Sequence, residues 1–190
     1  MMNTDTVLVV NAQRKRLPHG VTGQKKNNSL VEKCYEIEEL QEQMDITDLY
    51  QEIILDHSKN PHNFGVLEQF TCTAEGNNPL CGDSLTVYVY VKDNIISDVS
   101  YRARGCAISI ASASIMSSMI KGKTIEEVNI LFDKFHKLCT GQTVEDDDDT
   151  EMLQVLSGVS KFPTRVKCAT MSWHAMKEAI HDEKQTTLDN

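Results

Sequence analysis

Apolar residues recur every third or fourth position through Ile46, Leu49, Tyr50, Ile53 and Ile54 to His57. That spacing predicts a helix with one buried stripe. Asp45 is placed to cap its start, and Asn60-Pro61 to stop it. The rhythm then changes. SLTVYVYV (84–91) alternates with a period of two and puts Leu85, Val87, Val89 and Val91 on one face. After Lys92-Asp93-Asn94 the chain resumes as IISDVSYRAR (95–104), the second arm of a predicted β-hairpin. Residues 69–75 suit an edge strand beside it.

From Cys106 the texture becomes small, CAISIASASIMSSMIKG, with Ile108, Ile115, Met119 and Ile120 recurring. This predicts a helix that lets a neighbour approach closely and that ends at Gly122. Thr124 and Glu127 form a capping box for a further helix through Leu138. The run EDDDD (145–149) reads as solvated charge in a loop leading to a helix N-terminus. The last helix starts near Pro163, a favoured first helical residue, and carries Val166, Ala169, Trp173, Met176 and Ile180 as its core stripe. Strands first and helices after predict an α+β fold: a small antiparallel sheet, hairpin plus edge strand, with helices packed on one side. There is no internal repeat.

Composition narrows the function. The chain has 190 residues, enough for one domain with a real core, and carries a formal net charge of −9. An acidic balance argues against nucleic acid as a partner, because phosphate backbones call for a basic face. No apolar run approaches the roughly 18 residues of a membrane-spanning helix, so no membrane partner is expected. Residues 1–43 differ from the remainder. They hold 6 Lys+Arg and 6 Asp+Glu, so the whole charge imbalance belongs to 44–190. No helical or strand period persists through residues 1–30, which predicts a flexible or dispensable arm followed by a domain over 44–190. The basic, acid-poor start also has the composition of a transit peptide, against which the acids between Glu32 and Glu42 argue.

Six cysteines are spread along the chain: Cys34, Cys72, Cys81, Cys106, Cys139 and Cys168. The start has no secretory pattern, so a reducing, cytoplasmic setting is expected, with thiols free, metal-bound or catalytic rather than paired. Three sit where chemistry is easily built. Cys81 lies in the turn Pro79-Leu80-Cys81-Gly82-Asp83, Cys106 follows Gly105 at a predicted helix start, and Cys168 is in the second turn of the last helix, after Arg165 and Lys167. Helix N-termini and nearby cations favour the thiolate, which is both nucleophile and metal ligand. With the Asp83 carboxylate, the three thiols would supply four groups for a tetrahedral zinc. The spacing is unlike the paired CxxC of a zinc ribbon, so three unrelated core or loop cysteines remain an equal reading.

The segments CGD (81–83), RGCAISIASAS (104–114) and FPTRVKCATMSW (162–173), in that order, resemble the U-type iron–sulfur assembly proteins. DLYQEIILDHSKNPHNFG (48–65) is similar to that family's first helix and loop. The likeness runs from about residue 45 to 180. It implies the IscU-like fold of the SufE/NifU superfamily, with Cys81, Asp83, Cys106 and Cys168 converging as a metal or cluster site. Two departures separate the chain from IscU-type scaffolds: there is no LPPVK motif, and Lys167, not His, precedes Cys168. Together with a longer stretch between the second and third cysteines, they make it resemble the SufU branch. The family has no counterpart of 1–43, which makes Met44 a candidate native start.

The SufU likeness implies a zinc-dependent sulfurtransferase that takes persulfide sulfur from a SufS-type cysteine desulfurase, a PLP enzyme, and hands it to downstream iron–sulfur assembly proteins. In that reading Cys81 is the sulfur acceptor, released from zinc as a partner side chain takes its place. Cys106, Cys168 and Asp83 remain as ligands. Arg165, one turn before Cys168, would pair with Asp83 or steer the partner, or be a plain surface arginine. The rival within the family is a scaffold whose cysteines ligate an iron–sulfur cluster. The rival from another class is a non-catalytic zinc-stabilised interaction domain. A cysteine hydrolase is weaker still, since no histidine is placed beside a candidate thiolate. His57, His62, His136 and His174 read first as surface or capping residues, and Cys34, Cys72 and Cys139 as inert thiols.

Overall fold

In the computed structural model the described residues are 48–145 and 147–188. All lie within one compact unit spanning 42–190. The arm over 1–43 and the Asp45 cap fall outside the described residues. Helix α1 covers 48–59. Three strands follow, β1 (Cys72–Asn78), β2 (Asp83–Lys92) and β3 (Ile95–Arg104), then α2 (Ala107–Ile120) and α3 (Ile125–Cys139). The chain closes with α4 (Asp148–Gln154), a 3₁₀ turn (Ser157–Lys161) and α5 (Pro163–Leu188). No described helix is long and apolar enough to cross a membrane.

The sheet is antiparallel in the order β1-β2-β3. Its hairpin turns at Asp93 and Asn94, both at positive φ, 52° and 64°. Two left-handed residues in succession make the turn whose twist matches the strands, and Asn and Asp tolerate that region better than other non-glycine residues. Leu85, Val87, Val89 and Val91 are all buried, as the alternation predicts. The edge strand runs later than expected: it starts at Cys72 and ends at Asn78, paired with Asp83. Pairing down to that position leaves only 79–82 to reverse the chain, and this tight reversal carries Cys81.

Helix α5 lies against β1 and β2 and also against α2. The small residues of α2 explain how. Ser109, Ala111, Ser112, Ala113, Ser114 and Ser117 are buried, and the Ser112 hydroxyl donates to the Ala169 carbonyl of α5 at 2.5 Å. Without larger side chains between them the two backbones approach closely. Trp173, fully buried on α5, stacks on Phe135 of α3 with ring centroids 4.6 Å apart. Beyond α1, the Ser114 hydroxyl accepts the His62 backbone N–H at 2.8 Å and pairs with His57 Nδ1 at 2.8 Å. His57 therefore serves the α1–α2 contact. Burial is the main reason its pKa is lowered, with His62 adding to the effect.

The capping box at Thr124 and Glu127 is formed as predicted, and α3 runs one residue beyond Leu138. The acidic run is more structured than surface charge. Asp147 caps α4 and accepts the Thr150 backbone N–H at 3.0 Å. It also pairs with Lys134, and Asp149 pairs with Lys123 at 3.2 Å. Leu153, Val155, Leu156 and Val159 behind it are buried, so this segment contributes to the core.

Two predictions follow from this packing. Ser112→Leu forces α2 and α5 apart and should lower stability by about 1–3 kcal/mol, read as a lower urea midpoint at unchanged slope; Ser112→Ala should cost less. Asp147 is held down to about 2, first by Lys134 and then by Thr150, against an ordinary value of 3.8. A depressed carboxylate stabilises above its unfolded pKa and loses that contribution as pH falls through the folded one. The α4 cap should therefore hold above about pH 4 and loosen towards pH 2, visible as faster exchange of the Thr150 amide.

Candidate functional site

Antiparallel pairing brings three chain segments to one end of the sheet. Asn78 pairs with Asp83 across β1 and β2, and Ser84 pairs with Arg104 across β2 and β3. The β1–β2 turn and the exit from β3 into α2 are thus neighbours, and the start of α5 lies over both. The turn is pinned from within, since the Asn78 carbonyl accepts the N–H groups of Cys81 at 3.2 Å and Gly82 at 2.9 Å. Gly82 sits at φ +70°, a left-handed position that glycine takes without a Cβ clash.

Cys81, Asp83 and Cys168 each present a donor atom within 4.8 Å of one another. The Cys168 thiol donates to the Cys81 sulfur at 3.2 Å. Asp83 is 2% exposed and Cys168 is fully buried, whereas Cys81 is half-buried. Two sulfurs and one carboxylate oxygen, drawn together from positions far apart in sequence, suit a zinc-like cation.

Cys106 is adjacent but does not join this close set. It occupies the N-cap of α2, half-buried, and its backbone N–H donates to Asp83 Oδ1 at 2.8 Å. Its thiol is among the groups that push the Cys168 thiol up; burial is the largest cause, followed by hydrogen bonds with Asp83 and Cys81. A site without metal therefore keeps Cys168 protonated, and a cation entering it must displace that proton.

Arg165 is exposed, with Nη1 3.7 Å from the Cys81 sulfur. Among the described residues it forms no ion pair with Asp83, whose two carboxylate oxygens each accept an N–H group. One donor is the Cys106 amide, and the other is the Asn78 side chain, at 3.3 Å from Oδ2. The cysteines raise the Arg165 pKa, through a hydrogen bond with Cys168 first and then the charges of Cys81, Cys106 and Cys168. A cleft of about 710 Å³, lined in part by Ile54, Ile108, Leu138, Leu156 and Phe162, reaches Arg165.

Asn78 escaped the sequence reading. The same Nδ2 that reaches Asp83 lies 3.3 Å from the Cys168 sulfur, 90 positions away in sequence, and the residue is buried. Its one local signal was a turn-forming Asn-Asn-Pro. Cys139 and Cys72 lie in the core, away from this cluster, and burial pushes Cys139 up to about 12, in keeping with an inert thiol. Cys34 lies outside the described residues. Of the other histidines, His136 and His174 pack around Phe132, and His62 pairs with Ser118.

Gly105 has no room for a side chain: a Cβ there would fall 2.5 Å from Asp83 Oδ1. Gly105→Ala should push the carboxylate out of the cluster. The expected result is zinc affinity lowered by about 10-fold or more in a chelator competition, with far-ultraviolet circular dichroism unchanged.

Comparison with known proteins places this geometry. The NifU-like N terminal domain model matches residues 49–137. The zinc-dependent sulfurtransferase SufU of Bacillus subtilis is 40% identical over 136 residues, 72% of this chain and 92% of that protein. The iron–sulfur cluster assembly scaffold protein IscU of Streptococcus pyogenes is 39% identical over 132 residues, covering 70% and 82%. A solved structure of a SUF-system iron–sulfur cluster assembly scaffold protein from Fervidobacterium islandicum aligns with TM-score 0.64 at 32% identity, over 67% of this chain and 93% of that one. With a sheet end that gathers Cys81, Asp83 and Cys168 beside Cys106, and relatives of this closeness and coverage, the chain belongs to the IscU/SufU family of iron–sulfur cluster assembly proteins.

Proposed function

We propose that this protein is a zinc-dependent sulfurtransferase: it accepts persulfide sulfur from a SufS-type cysteine desulfurase on Cys81 and passes it to downstream iron–sulfur assembly proteins. The observation that carries this reading is the difference in exposure within one donor cluster. Asp83 and Cys168 are buried, while Cys81 stands half-exposed in a turn beside the Arg165 guanidinium. An acceptor needs a thiol that a partner can reach, and of the three close donors Cys81 is the reachable one.

Cys81, Asp83, Cys106 and Cys168 would hold the zinc. When bound, it keeps its cysteines deprotonated near neutral pH. The Cys81 thiolate attacks the outer sulfur of the desulfurase persulfide. The bond between that sulfur and the desulfurase cysteine breaks, the desulfurase leaves with its thiolate, and Cys81 carries the new persulfide. Arg165 offsets the negative charge that accumulates around the two sulfurs. Leu80, adjacent to Cys81 in sequence, and Phe162, 67% and 60% exposed, would offer a docking partner apolar surface. We assign the activity to residues 44–190 and regard 1–43 as dispensable for it. The IscU relatives favour a second reading, a scaffold on which the cysteines ligate an iron–sulfur cluster.

Mixing the protein with a SufS-type desulfurase and sulfur-labelled cysteine separates the possibilities. Wild type should stimulate turnover and carry label on Cys81. Cys81→Ala should lose both while its melting temperature stays within about 4 °C. Unaltered turnover, with iron and sulfide building a chromophore on the protein, would establish the scaffold instead. Loss of folding in Cys81→Ala would mark a structural zinc domain.

A further inference from the structure

The cluster contains two thiols whose sulfurs are only 3.2 Å apart, yet a transfer site needs one to stay and one to leave. The metal itself does not distinguish two thiolates. The distinction must come from the protein around them: Arg165 approaches the Cys81 sulfur at 3.7 Å, whereas the Cys168 sulfur faces the Thr164 carbonyl and the Asn78 side-chain amide, and Asn78 also reaches Asp83.

Asn78 is 4% exposed and ends β1. Its side-chain amide has two N–H groups and faces two acceptors, Asp83 Oδ2 at 3.3 Å and the Cys168 sulfur at 3.3 Å. A carboxylate and a thiolate both accept, which fixes the orientation of the amide with nitrogen towards the cluster. Its backbone carbonyl meanwhile holds the Cys81 and Gly82 N–H groups. The two roles are separable, because any substitution keeps the carbonyl and removes only the amide.

An N–H donated to a thiolate draws charge off the sulfur, making it a poorer nucleophile and fixing its direction. Cys168 is buried and receives this bond. Cys81 is half-exposed, and its neighbouring donor is the solvent-exposed Arg165 at 3.7 Å. Partners of metal ligands orient those ligands and change metal affinity about 10- to 100-fold when removed. We infer that Asn78 is a positioning residue: by holding Asp83 and Cys168 together it makes them the fixed anchors of the metal and leaves Cys81 as the thiol free to exchange. The choice between thiols rests on the sulfurtransferase reading; the anchoring does not.

The test uses the full-length protein carrying Asn78→Ala or Asn78→Asp, the second nearly isosteric but with an acceptor in place of the donor. Zinc affinity is measured by chelator competition, cobalt substitution reports thiolate ligation through its charge-transfer absorption, and the urea midpoint of the metal-free protein monitors folding. After one round with a SufS-type desulfurase and labelled cysteine, peptide mapping locates the sulfur. Affinity should fall about 10- to 100-fold in Asn78→Ala and further in Asn78→Asp, with weaker charge-transfer absorption and label on both Cys81 and Cys168. Affinity within twofold of wild type overturns the inference. A fall in affinity with label still confined to Cys81 overturns the selection between thiols and leaves the anchoring. Absence of label from every cysteine of the wild type sinks the sulfurtransferase reading instead, and affinity alone then decides the role of Asn78. Should Asn78→Ala fail to fold, Asn78→Ser takes its place under the same twofold threshold.

Discussion

A buried carboxylate organises this end of the molecule. Asp83 is 2% exposed, and an ionised group taken out of water is costly unless every lone pair is met. The fold gives each oxygen an N–H donor, from two directions: the Cys106 amide at the start of α2 and the Asn78 side chain at the end of β1. These bonds tie the β1–β2 turn to the β3–α2 junction. The thiols of Cys81 and Cys106 therefore sit on backbone already fixed by the carboxylate between them. Gly105 completes the arrangement, because any side chain there would occupy the place of Asp83.

The third thiol arrives by a different route. Cys168 belongs to α5, whose position is set by packing against β1, β2 and α2 rather than by the turn. The serine- and alanine-rich face of α2 lets α5 come close enough for the Ser112 hydroxyl to reach the Ala169 carbonyl, one residue beyond Cys168. Trp173, stacked on Phe135, fixes the same helix one turn further on. The candidate donor cluster is thus the meeting of two separately stabilised parts, a hydrogen-bonded sheet end and a close-packed helix pair. Asn78, bonded to Asp83 and to Cys168, joins the two, as does the Cys168–Cys81 contact.

Much of this was legible along the chain where the determinants are local. Period two in 84–91, the Asp93-Asn94 turn, the Thr124/Glu127 box and the stripe on α5 each depend on neighbours within a few residues, and each has its expected form. Cys81, Asp83 and Cys168 were also visible, although residue spacing alone left unrelated thiols as an equal reading. What escaped depends on contacts that spacing does not encode. The edge strand shifted to Cys72–Asn78 because its end is fixed by pairing with Asp83, a non-local choice. The acidic run became a cap and two ion pairs because Lys123 and Lys134 of the preceding segment lie opposite it. Asn78 looked like an ordinary turn residue because its second partner is 90 positions away.

The contrast between the buried and half-exposed donors bears on the proposed sulfur transfer, for which a closed metal site would not serve. Four equally buried ligands would give a tight, closed centre of the structural kind, in which no thiol is available to an incoming persulfide. Four exposed ligands would hold the metal weakly and leave every thiol open to oxidation. Here Asp83 and Cys168 are enclosed, Cys106 stands at a helix cap, and Cys81 lies half-exposed in a turn held by the Asn78 carbonyl. A carboxylate in place of a fourth sulfur also makes the donor set less soft, which weakens its hold on a thiophilic cation. In the proposed transfer, exchange at Cys81 leaves the hydrogen bonds of Asp83 to Cys106 and Asn78 in place.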